Sequence, residues 1–133
     1  MAPTWGVNNR TVSLRVPAGR PKTRHVEHRV AGADGNPYLV LAVLLASAHH
    51  GIKNKLDPGP AVVGDGYAAA AKENIRLPSN WFAAVDLFET SEVLRDYLGD
   101  RFVDMFVSVK RTEQARFFEV VTELDFDWYL RNA

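Results

Sequence analysis

The 133-residue chain has no cysteine. A disulfide framework and a thiolate metal site are therefore both excluded, and a reducing, cytoplasmic setting is the expectation. No apolar run approaches the ~18 residues needed to cross a membrane. The longest, Tyr38 to Ala48, is interrupted by Ser47 and ends in His49-His50. The opening MAPTWGV has neither a charged n-region nor an apolar h-region, so no signal peptide is expected. There is no internal repeat and no low-complexity segment. With 47% hydrophobic residues, the chain has enough apolar material for one ordinary domain.

Net charge is also lacking: sixteen Lys and Arg balance sixteen Asp and Glu. The balance is unevenly spread. Residues 1–30 hold six Lys/Arg and one acid, whereas residues 31–133 hold ten against fifteen. A basic first quarter on an acidic remainder points to a local anion site. A nucleic-acid-coating protein is usually basic throughout, and the basic segment lacks the interleaved aromatics of a single-strand binder. Neither nucleic acid nor membrane is expected as a partner.

The basic segment contains a single glutamate, Glu27, two residues before Arg29. Thr11 to Val16 alternates, with Val12, Leu14 and Val16 on one face, and His25 to Val30 alternates again, with His25, Glu27 and Arg29 together. The spacing predicts two antiparallel strands joined by a Pro/Gly loop. Two strands rarely stand alone, so partner strands are expected from outside the chain. Asn36 as cap and Pro37 as first residue open a helix over Tyr38 to His50, with Gly51 or Lys55 as its end. Its apolar surround predicts burial. DPGPAVVGDG is a surface loop and Tyr67 to Arg76 is weakly patterned. Ser79 or Asn80 caps a helix over Trp81 to Phe88, and Thr90 or Ser91 caps Glu92 to Leu98. A long helix follows over Asp100 to Val121, with Phe102, Met105, Phe106, Val109, Phe117 and Val120 as its core face. DFDWYL forms an aromatic tail. The fold class is α+β: a strand pair, then a mostly helical region.

Arg10 and Arg15 carry permanent charge in a fork that binds phosphate bidentately. Five residues apart in an ideal strand, they would point to opposite faces, so a bulge or a strand end at Arg10 is needed if both serve one site. Glu27 offers an oxygen ligand to Mg²⁺ or Mn²⁺, and Arg29 a grip on a carboxylate or a phosphoryl group in transfer. From spacing alone, a surface Arg–Glu ion pair is the plainer reading. His25 and His28 carry no assigned role, and His49-His50 suit a helix end through its dipole.

In these residues the chain resembles the C-terminal part of the glutamine synthetase catalytic domain. The motifs run in order: Asn9-Arg10, Arg15-Val-Pro17, Pro21-Lys22, Glu27-x-Arg29, Asn36-Pro37-Tyr38-Leu39 and Gly51-Ile-Lys-Asn-Lys55. The later LPSNW, KRTEQARF and DFDWYL extend the resemblance over the whole chain. HHGI and DPGP look more like the γ-glutamyl-polyamine (putrescine) synthetase branch. The resemblance implies an ATP-dependent glutamate–ammonia or glutamate–amine ligase that works through γ-glutamyl phosphate as a homo-oligomeric ring. It places Arg10, Arg15 and Lys22 on ATP, with Arg10 also reaching the glutamate end, Glu27 on the metal, and Arg29 on glutamate or the acyl phosphate. His25 departs from the housekeeping pattern, where an arginine is usual. Tyr67 falls where some members carry an adenylylated tyrosine, but GDGYAAAAKEN lacks that setting, so an ordinary loop tyrosine is expected. The family's small N-terminal domain and the upstream strands with most metal ligands have no counterpart here. The chain then reads as a C-terminal portion, inactive alone, or as a non-catalytic ligand-binding or assembly module of the same fold.

Overall fold

A computed structural model describes residues 2–73 and 76–130. The chain divides into two compact units, Met1–Ser79 and Asn80–Ala133. The α+β class read from the sequence is seen: three short strands, then mostly helix.

In the first unit, β1 (Trp5–Val7), β2 (Leu14–Val16) and β3 (Glu27–His28) form one sheet in that order. The expected antiparallel pair is present as β2 and β3, with Leu14 opposite His28 and Arg15 opposite Glu27. Two expectations need correction. The third strand comes from the chain itself: β1 runs parallel to β2, with Trp5 opposite Leu14. The β2 strand is also shorter than its alternation predicted. Asn9 Oδ1 accepts from the Thr11 backbone N–H (2.9 Å) and from Thr11 Oγ1 (2.6 Å), curling the chain into a turn. Val12 is consequently fully buried and Leu14 exposed, so the two do not share an inward face.

The predicted surface loop is tied along β1. Val62 N–H donates to Trp5 O (2.9 Å), Trp5 Nε1–H to Gly59 O (2.9 Å), and Asn9 Nδ2 to Val62 O and Gly64 O. At its end Gly66 opens α2 (Gly66–Glu73) against the Thr11 backbone, where a Cβ would lie 2.5 Å from Thr11 O. Glycine fits because it has nothing there. The segment read as weakly patterned is thus helical to Glu73; positions 74 and 75 lie outside the described residues.

Asn36 caps α1 (Pro37–Lys53) as expected, its Oδ1 accepting from Tyr38 N–H (3.0 Å) and Leu39 N–H (3.2 Å). The predicted burial of this helix is not found. Ala46 alone is buried, while Tyr38, Leu41, Leu45 and Ile52 are exposed by 56–83%. The described elements of the unit leave these faces uncovered.

In the second unit, α3 (Trp81–Glu89), α4 (Glu92–Leu98), α5 (Asp100–Phe118) and α6 (Glu123–Tyr129) follow in order. Asn80 and Ser91 cap α3 and α4 as expected. The core is Val85, Val103 and Val107, with Phe88 and Leu98 against them. The expected core face of α5 is found only in part: Phe102 and Phe106 are half-buried, and the fully buried positions lie beside them. Val103, Val107 and Gln114 are buried; Met105, Val109, Phe117 and Val120 are 50–66% exposed. One residue turns a helix by about 100°. The small valines permit close packing of α3 on α5, and the bulkier phenylalanines fall to the flank and pair with one another.

Candidate functional site

The β2–β3 rung brings Arg15 and Glu27 face to face. Arg15 Nη1 donates to both oxygens of Glu27, each at 2.9 Å. Its Nη2 donates to Asn8 Oδ1 at 2.6 Å. His25 Nε2 stands 3.8 Å from Glu27 Oε1, and His25 Nδ1 lies 2.9 Å from Thr23 O. The hydrogen bond from Arg15 holds the Glu27 carboxyl below its usual range; partial burial opposes this, and the charges of Arg15, His25 and Arg29 reinforce it. Three cationic or potentially cationic side chains thus surround one carboxylate. At working pH Glu27 is ionised, and the two guanidinium charges of Arg15 and Arg29 outnumber it, so the group can sit beside further anionic oxygens.

Each residue singled out from the sequence has a clear position. Arg10 lies in the turn between β1 and β2, ahead of the strand that carries Arg15. It lines an open cavity of about 500 Å³ with Asn8, Asn9, Val62 and Gly64. Lys22 sits in the 3-10 turn Pro21–Thr23, exposed. Arg29 follows β3, its backbone N–H bonded to Ser13 O (2.9 Å). Arg15, Glu27 and Arg29 are therefore brought into one electrostatic neighbourhood. No hydrogen bond or ion pair is seen between the Arg10 or Lys22 side chain and that group among the described residues. The sequence reading assigned no role to Asn8. The doublet Asn8-Asn9 before Arg10, a turn signature, was the available signal.

A divalent metal is poorly served by this set. No group of three or more His, Asp or Glu side chains among the described residues is placed to hold an ion. Glu27, the one carboxylate at the rung, has both oxygens engaged by Arg15. Hard cations require several oxygen ligands, so the described residues do not fit a metal without donors from elsewhere.

Tyr67 is exposed near the start of α2, its N–H bonded to Asp65 Oδ1 (2.9 Å). No helix among the described residues is long and apolar enough to cross a membrane.

The Arg15–Glu27 rung, with Arg29 just after it and an Asn-Pro-capped helix following, sits in a chain whose family is shown by comparison. The family model described as "Glutamine synthetase, catalytic domain" matches residues 1–129, and the chain belongs to that family. It is 41% identical over 130 residues to gamma-glutamylputrescine synthetase PuuA of Escherichia coli (strain K12), covering 98% of this chain and 27% of that protein. It is 38% identical to type-1 glutamine synthetase 2 of Dictyostelium discoideum, covering 96% of this chain and 25% of that protein. A solved structure described as "Apo GmaS without ligand" superposes with a TM-score of 0.80 at 34% identity, over 97% of this chain and 30% of the other. The chain thus spans about a quarter to a third of the relatives it matches.

Proposed function

We propose that this chain is the C-terminal portion of the catalytic domain of an ATP-dependent glutamate–amine or glutamate–ammonia ligase. The carrying observation is the Arg15–Glu27 rung with Arg29 beside it, in a chain whose family is glutamine synthetase. In the proposed reaction a γ-carboxylate oxygen of glutamate attacks the γ-phosphorus of ATP and ADP leaves. The amine nitrogen then attacks the acyl carbon, phosphate departs with the C–O bond electrons, and the nitrogen loses a proton.

In this reading Arg10, Arg15 and Lys22 bind the ATP phosphates, since guanidinium forks match phosphate oxygens and stay charged. Arg10 also reaches the glutamate end. Arg29 orients the glutamate carboxylate or steadies the acyl phosphate, the place where preorganised positive charge lowers the barrier most. Membership in the family implies ATP and divalent metal use; Mg²⁺ or Mn²⁺ would neutralise phosphate charge when bound. Glu27 would contribute one oxygen, and its other ligands would come from residues outside those described. The exposed apolar faces of α1 support a longer or assembled whole, with a cytoplasmic homo-oligomeric ring as the proposed setting. The 133-residue chain by itself is then inactive.

The γ-glutamylputrescine relative favours an amine acceptor. A second reading, a non-catalytic ligand-binding or assembly module, is favoured by the engagement of both Glu27 oxygens with Arg15. The native polypeptide that carries this sequence separates the two. With ATP, glutamate and a panel of ammonia, putrescine and longer polyamines, amine-dependent phosphate release is expected. Arg29→Ala should lower it by about a hundredfold or more. No release with any amine supports the module instead.

A further inference from the structure

Asn8 adopts a left-handed backbone with φ of +50° at the end of β1. Such a conformation costs an L-residue of order 1–2 kcal/mol, least for asparagine and nothing for glycine. It persists here because the Asn8 N–H is held by Val16 O at 2.8 Å. The turn aims the carboxamide of Asn8 at Arg15 Nη2, 2.6 Å away. On the other side Glu27 holds Nη1 through both oxygens. The Arg15 side chain is only 13% exposed, and its Nε–H is buried with no acceptor among the described residues. A guanidinium has five N–H donors in one plane. The two Glu27 oxygens share one Nη1–H and Asn8 takes one Nη2–H, so a hydrogen bond at each Nη fixes that plane. One Nη2 proton stays available for an anionic oxygen.

We propose that Asn8 is a positioning residue: its strained turn locks the Arg15 guanidinium so that the remaining Nη2–H presents to a phosphate oxygen. The inference rests on the nucleotide role proposed above for Arg15. A simple turn-former would serve the backbone alone, and glycine would do that better. Asn8→Gly therefore separates the two roles, because it relieves the backbone strain and removes the acceptor. Asn8→Asp keeps both an acceptor oxygen and tolerance of positive φ.

The test uses the 133-residue chain labelled with ¹⁵N-arginine, with the Arg15 Nη resonances assigned by comparison with Arg15→Lys. In Asn8→Gly the melting temperature should be equal or higher, and the Arg15 Nη resonances should broaden from restored rotation. Asn8→Asp should keep them sharp. ATP affinity of the native polypeptide carrying this sequence, measured by calorimetry, should fall about tenfold in Asn8→Gly, as for loss of one hydrogen bond to a charged group. Arg15 resonances as sharp in Asn8→Gly as in the parent chain overturn the proposal, whatever the ATP result. So does equal broadening in Asn8→Asp. If the native polypeptide binds no ATP, the nucleotide reading fails, while the resonances still decide the role of Asn8.

Discussion

Val103 sits at the centre of the helical unit with no exposed surface, packed with Val85 and Val107. Val103→Ala removes two methyl groups from that contact. Their transfer free energy is ~1.6 kcal/mol, and the partly collapsed cavity raises the expected cost to ~2–3 kcal/mol. Val109, six residues later on the same helix, is 50% exposed. The same substitution there should cost no more than ~0.5 kcal/mol. The sequence pattern alone selected Val109 as core and passed over Val103, so the pair distinguishes the two registers of α5. Urea unfolding followed by the Val85 methyl resonances reports the helical unit alone. For so small a unit the Val103 variant should melt roughly 8 °C or more below the parent. Equal losses for the two variants, or a larger loss at Val109, would refute the packing described for α5.

Gly66→Ala should destabilise the first unit by ~1–3 kcal/mol, since its methyl would press on the Thr11 backbone; thermal melting followed by Trp5 fluorescence would show it, and an unchanged melt would sink the close approach. Asn36→Ala should cost ~1 kcal/mol at the start of α1, seen as faster amide exchange at Tyr38 and Leu39, its two partners. Asp125 is held below its ordinary value of 3.8 by the Thr122 backbone N–H first and the Thr122 hydroxyl second. A lowered carboxylate gives stability that is complete above the unfolded value and lost as pH falls through the folded one. The α6 start should accordingly fray below the ordinary value, and Asp125→Asn should flatten that dependence; protection of the Thr122 amide against pH measures both.

Features set by one residue and its immediate neighbours were legible in the sequence. Asn36, Asn80 and Ser91 were each readable as caps, because a short polar side chain satisfies helix N–H groups wherever it precedes them. The cross-strand meeting of the basic segment with Glu27 was readable from two alternating runs around a Pro/Gly loop. Features set by distant partners were not. Val12 is buried because Asn9 curls the chain at Thr11, which no period-2 pattern encodes. The sheet gains β1 because Trp5 is tied to Val62, 57 residues later in the chain. The α5 face was misjudged because bulk was taken for burial, whereas α3 packs on valines. In the site the residue types were readable, but the hydrogen-bonded pairing of Arg15 with Glu27 depends on a strand register that only the fold fixes. Asn8 was passed over because its role depends on a backbone angle that only the fold reveals.

We propose above that these strands form one wall of a site that makes γ-glutamyl phosphate. The direct measurement supplies the native polypeptide carrying this sequence with ATP, putrescine and glutamate labelled with ¹⁸O in its γ-carboxylate. Transfer of one ¹⁸O from glutamate into each released phosphate, lost together with turnover in Arg29→Ala, is the predicted result. Phosphate released without ¹⁸O, or labelled phosphate formed at an unchanged rate by Arg29→Ala, would contradict the account.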